Sequence, residues 1–219
     1  MAREISKPVR GAIPALGWSV GRTESSQIKK GETAACKARQ ALVNRGSTKF
    51  MENTGTLAVS LPSDCEIALK RIFKAPRELV YRAFSDPEIL KRWFGPRGWS
   101  LVTCHINSRV GGGFRFVLRA PDGRELGMHG TYLELSPPER SVHTEGFDGL
   151  PGESLVTSTF TERNGETTLL ATIRYTSKEI RDAVIRSGME HGAAESYDKL
   201  SELLVATQEL PAFAEDPSK

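Results

Sequence analysis

The sequence predicts an α+β fold in which a curved antiparallel sheet wraps around one long C-terminal helix, with two short helices inserted after the first strand. Three observations carry this prediction. Alternating apolar residues recur in short segments separated by strong turn signals. Two helix starts stand back to back at Pro76 and Pro87. The last patterned segment, from Met189 to Leu204, has one apolar face long enough to need a broad surface beneath it.

The elements follow in order. Ile67, Leu69 and Phe73 alternate with Ala68, Lys70 and Ile72, which reads as the first strand. In APRELVYRAF, Pro76 suits a first helical turn and Leu79, Val80, Ala83 and Phe84 share one face. Asp86 is placed to cap a second helix that begins at Pro87, runs through Ile89, Leu90, Trp93 and Phe94, and stops at Gly95-Pro96. A meander comes next. Phe114, Phe116 and Leu118 alternate after Gly111-Gly112-Gly113, and Pro121-Asp122-Gly123 turns the chain. Leu126 to Leu135 and Val142 to Phe147 flank Ser136-Pro137-Pro138, while Leu155 to Thr161 and Thr167 to Tyr175 flank Asn164-Gly165. The three glycines fit a bulge or a close backbone approach; no Lys-Ser/Thr follows them, so they make no phosphate loop. Ser177 can cap a short helix to about Arg186, Gly188 punctuates it, and Met189, Ala193, Ser196, Tyr197, Leu200 and Leu204 mark the face of the long one.

A chain of 219 residues accommodates one good core and an appendage. Residues 1–60 read as a basic, disordered extension, residues 66–206 as the folded domain and residues 207–219 as a flexible tail; Met51 is a candidate translation start. The formal charge of +3 is concentrated at the front. Residues 1–50 hold ten Lys or Arg against three Glu, which leaves the remainder at about −4 and without a nucleic-acid footprint. No apolar run approaches a membrane span and no signal-peptide core is present, so a soluble, cytoplasmic protein is expected. Cys36, Cys65 and Cys104 lie at wide, irregular spacing and predict neither a zinc site nor a disulfide framework.

Candidate chemistry gathers in two places. Trp93, Phe94 and Trp99 cluster around Gly95-Pro96, where the helical pair should meet the mouth of a tunnel between sheet and helix. With Phe116 and Tyr132 on the strands and Met189, Ala193 and Tyr197 on the long helix, they form the expected lining for an apolar ligand; the competing reading is that the aromatics plug the core. His143, Glu145 and Phe147 share one strand face, which could set an imidazole beside a carboxylate and raise its pKa for acid-base work if that face is inward. His105, His129 and His191 lie on separate segments without metal-ligand spacing. Arg71, Arg92, Arg97, Arg115 and Arg119 would make an anion site only if they converged at the mouth. No metal or cofactor is implied.

The segments KAPRELVYRAFSDPEILKRWFGP, GGGFRFVLRAPDG, GTYLELSPPERSVHTEGF, SLVTSTFTERNGETTLLA and SGMEHGAAESYDKLSEL resemble bacterial proteins similar to the C-terminal domain of the heat-shock-90 ATPase activator. These lie within the SRPBCC superfamily of START-like and pollen-allergen-like helix-grip folds. The resemblance covers nearly all of Glu66 to Leu204 in order. It implies a helix-grip domain, a bacterial stress-related setting, and an apolar small molecule held between sheet and long helix. It also implies two alternatives: a module acting on a chaperone, or a tunnel enzyme. The eukaryotic activator resembles a two-domain cochaperone, of which only the C-terminal region has a counterpart here. One departure is Ala193, where relatives often place Trp; the smaller side chain enlarges the cavity, or a neighbour refills it. A homodimer stays open.

Overall fold

The computed structural model describes residues 57–209. Eight antiparallel strands form one sheet: β1 (Ala58–Ser60), β2 (Glu66–Phe73), β3 (Ser100–Ile106), β4 (Gly113–Arg119), β5 (Glu125–Ser136), β6 (Arg140–Phe147), β7 (Ser154–Arg163) and β8 (Glu166–Arg174), in the order β1-β2-β8-β7-β6-β5-β4-β3. Helices α1 (Arg77–Ser85) and α2 (Pro87–Trp93) lead from β2, near one end of the sheet, to β3 at the other. Helices α3 (Lys178–Arg186) and α4 (Met189–Glu209) follow β8. This is the helix-grip arrangement.

Local chemistry sets most boundaries. Asp86 accepts a hydrogen bond from the Glu88 amide and Pro87 occupies the first helical position of α2; Ser177 accepts from the Ile180 amide to start α3. Asn164 and Gly165 both hold positive φ (54° and 76°), the geometry of a two-residue hairpin turn between β7 and β8. At Gly112 an added Cβ would stand 2.1 Å from the Asn107 carbonyl oxygen, so that glycine serves a close backbone approach.

Several elements differ from the sequence reading. Strand β1 falls inside the stretch assigned to the extension, yet Leu57 and Val59 are fully buried and Val59 pairs with Leu69. Strand β3 escaped notice because a register shift between Leu101 and Thr103 interrupts its alternation and Val102 faces solvent. Helix α4 continues through residues 207–209, assigned to the tail, where the Gln208 amide donates to the Lys74 carbonyl oxygen at 3.0 Å. Cys65 is disulfide-bonded, against expectation, whereas Cys104 is free. The readings of residues 1–56 and 210–219 lie outside the described residues. Among those described, no helix is long and apolar enough to cross a membrane.

The core sits between the concave face of the sheet and α4. Arg71, buried on the inner face of β2, donates to Asp198 at 2.7 Å and to Ser201 at 2.9 Å, tying the strand to α4. The turn after α2 is pinned to the same helix: the Gly95 amide donates to Ser196 Oγ, and Lys199 Nζ donates to the Gly95 carbonyl oxygen. These contacts hold the helix above the sheet without filling the space near its N-terminal half.

Candidate functional site

That space is a cavity of about 420 Å³. Its wall is mostly apolar. Helices α1 and α2 contribute Tyr81, Phe84, Leu90 and Trp93, the sheet contributes Phe114, Phe116, Met128, Val156 and Phe160, and α4 contributes Met189, Ala193 and Tyr197. The aromatic rings pack edge-on or tilted against one another, as between Phe84 and Trp93 (centroids 4.8 Å apart) and between Phe94 and Phe116 (5.3 Å).

Of the residues expected to line the tunnel, Trp93, Phe94, Phe116, Tyr132, Met189, Ala193 and Tyr197 all reach this cavity. Trp99 does not; it packs against the core outside the lining. The mouth also differs from the expectation. Gly95 and Pro96 are buried, while the exposed lining residues Ser108 and Pro137 place a rim between the β3–β4 and β5–β6 connections. Trp93 is 1% exposed and donates its indole N–H to the Ala83 carbonyl oxygen at 3.0 Å, so it serves the core and the cavity wall together.

Strand β6 brings polar chemistry inward. Ser141, His143, Glu145 and Phe147 alternate onto the cavity face, so that a polar stripe runs from the rim beside Pro137 into the interior. At a strand rise of about 3.3 Å per residue, Glu145 stands roughly 13 Å along the strand from Ser141. The His143 ring packs edge-on against Phe114 and Tyr132 (centroids 5.4 and 5.9 Å), and its Nδ1 is buried without a hydrogen-bond partner. Burial lowers its pKa from 6.5 to about 4, which leaves it neutral at physiological pH. Burial also acts on Glu145, whose pKa rises from 4.5 to about 7. Tyr132 is pushed up to about 12 by burial, and Tyr197 is raised by burial with a contribution from the Glu145 charge.

The expected imidazole-carboxylate pair is not formed. Both side chains face inward, but no ion pair joins them among the described residues, and the His143 pKa falls where a carboxylate partner would raise it. Side chains two apart on a strand lie side by side along the pleat without necessarily touching, and here desolvation outweighs any mutual attraction.

The remaining candidates disperse. Arg71 binds Asp198 and Arg97 binds Glu202, both on α4, while Arg115 binds Asp148 and Arg119 binds Glu125; none of these arginines, nor Arg92, lines the cavity. Cys104 lies outside the lining with its thiol pushed up to about 11 by burial, an inert state. His105 and His191 are exposed, and His129 sits 3.5 Å from Asp148 on the protein surface. Sequence reasoning missed the contributions of Tyr81, Phe84 and Phe160. The only signal for them was apolar periodicity, which does not separate a cavity wall from a filled core.

The family model for Activator of Hsp90 ATPase homolog 1-like protein matches residues 74–205. A solved structure from Rhodobacter sphaeroides shares 32% identity, with 69% of this chain and 99% of that chain covered and a TM-score of 0.66. One from Chromobacterium violaceum shares 32% identity over 65% of this chain and 98% of its own, with a TM-score of 0.57. A third, from Nitrosomonas europaea, shares 25% identity over 67% and 97%, with a TM-score of 0.61. Among curated proteins, none matches this chain significantly. The family match spans more than half of the chain and the fold agrees with it throughout: this protein belongs to the family of Activator of Hsp90 ATPase homolog 1-like proteins.

Proposed function

We propose that the domain binds an apolar small molecule in the cavity between the sheet and α4. The supporting observation is the cavity itself: about 420 Å³ of space walled largely by aromatic and aliphatic side chains, within the size range of small-molecule sites. Removing apolar ligand surface from water into such a wall gains about 25 cal/mol per Å² before the costs of association. Native mass spectrometry of the protein taken gently from its host lysate tests the reading. A discrete small adduct lost on denaturation supports it; a bare chain that also fails to take up an added apolar dye opposes it.

The family name suggests a module that docks on a chaperone instead. Such a role calls for a contiguous apolar patch on the outside. The large apolar side chains exposed among the described residues are Ile72, Val102, Val110, Leu133, Leu170, Ile180 and Val205; Ile72 and Leu170 neighbour one another on paired strands β2 and β8, and the others come from separate elements. A catalytic reading draws on one observation, a cavity-facing carboxyl group with a pKa of about 7, suited to exchanging protons near neutrality. Turnover of a bound ligand, measured by mass change during incubation, separates an enzyme from a carrier.

A further inference from the structure

The ionisable groups of the cavity wall are unbalanced. The lining contains no Lys, Arg or Asp; besides tyrosines it holds one carboxylic acid, Glu145, and one histidine, His143. No described residue hydrogen-bonds to the Glu145 carboxylate or pairs with it, and burial raises its proton affinity. His143 supplies no cation, because its buried ring stays neutral. Glu145 is half-buried and faces a largely apolar wall, where a carboxylate without a counter-charge is disfavoured and an opposite charge brought in by a ligand offsets much of that cost.

Resting on the apolar-ligand reading above, we infer that the ligand is a hydrophobic amine: an apolar body carrying one basic nitrogen, which the Glu145 carboxylate holds at the inner end of the polar stripe. The wall suits a cation on a second count. Tyr197 senses the charge of Glu145 and, more weakly, that of Arg71, which is engaged by Asp198, and its ring belongs to one aromatic cluster with Phe84 and Trp93 (centroids 6.2 and 6.3 Å). Aromatic faces attract ammonium groups, and more strongly where water is excluded. A fatty acid finds no Lys or Arg on the wall to pair with its carboxylate.

Displacement of bound Nile red from the full chain by a matched series decides the matter: 4-phenylbutylamine, 4-phenylbutanol and 4-phenylbutyrate share a body and differ at the head. The amine is expected to displace at least about tenfold better than the alcohol or the acid, a margin typical of one desolvated charge pair. In Glu145→Gln that preference, read as the ratio of amine to alcohol potency against the variant's own dye affinity, should shrink to within about twofold. Equal potency of the three, a preference for the acid, or an amine preference that survives in Glu145→Gln overturns the inference while leaving an apolar site standing. Failure of Nile red to bind overturns the cavity reading and the inference with it. Should Glu145→Gln not fold, the wild-type ranking decides alone.

Discussion

His143 and Glu145 stand two residues apart on the same face of β6, and burial in one cavity drives their proton affinities in opposite directions, to about 4 and about 7. Each is thereby held in or near its uncharged form. Desolvation penalises whichever form carries charge, so it lowers a base and raises an acid.

Their effects on stability oppose one another. Glu145 contributes stability that is full below its ordinary 4.5 and is lost as pH rises to about 7, because only the unfolded chain gives up that proton freely. His143 contributes stability that is full above 6.5 and is lost as pH falls to about 4. Between pH 4.5 and 6.5 the two contributions cancel. Glu145→Gln should therefore expose a decline toward acid pH, and His143→Gln a decline toward neutral pH, each no steeper than about 1.4 kcal/mol per pH unit. Urea midpoints measured from pH 4 to 8 check this; parallel profiles in both variants would show that neither group is desolvated.

Trp93→Ala should cost about 3–5 kcal/mol in urea unfolding of the ligand-free domain. The indole is almost wholly buried, packs against Phe84 and Phe94, and satisfies the Ala83 carbonyl oxygen. A loss under about 1 kcal/mol would show that the cavity collapses around the deletion.

Ala193→Trp should close much of the cavity by extending an indole from α4 into space that the methyl group leaves open. Uptake of an apolar dye is expected to fall at least about tenfold while thermal stability holds or rises, since filling a void restores contacts that its lining lacks. Undiminished dye uptake with unchanged stability would mean that the new ring swings out to solvent.

Gly130→Ala should destabilise the domain by about 3 kcal/mol or more, at the upper end for overpacking. A Cβ there would lie 1.8 Å from the Thr144 carbonyl oxygen and 2.5 Å from the Phe114 ring, so β6 would have to move away from β5, carrying His143 and Glu145 with it. A thermal melt within a degree or two of wild type would contradict that geometry.

Much of the scaffold was legible because its signals are short-range. Asp86 before Pro87, Ser177 before Lys178 and Asn164-Gly165 each satisfy a local backbone requirement and mark the boundary they suggest. The face of α4 from Met189 to Leu204 likewise repeats with the helical period. Strand β1 was hidden because three residues are too few to show a period; it exists by pairing with β2. Trp99 drew attention as a large aromatic beside Gly95-Pro96, but closeness in sequence did not bring it to the cavity.

By itself the sequence determined the kinds and order of most elements, the caps that bound them, and that His143, Glu145 and Phe147 share a face. Only the tertiary structure decided that this face turns inward, that α4 leaves about 420 Å³ unfilled, and that the histidine and the glutamate remain unpaired within it. Periodicity and capping act over a few residues of backbone, whereas cavity volume and desolvation depend on side chains brought together from β2, β6, α2 and α4 across most of the chain.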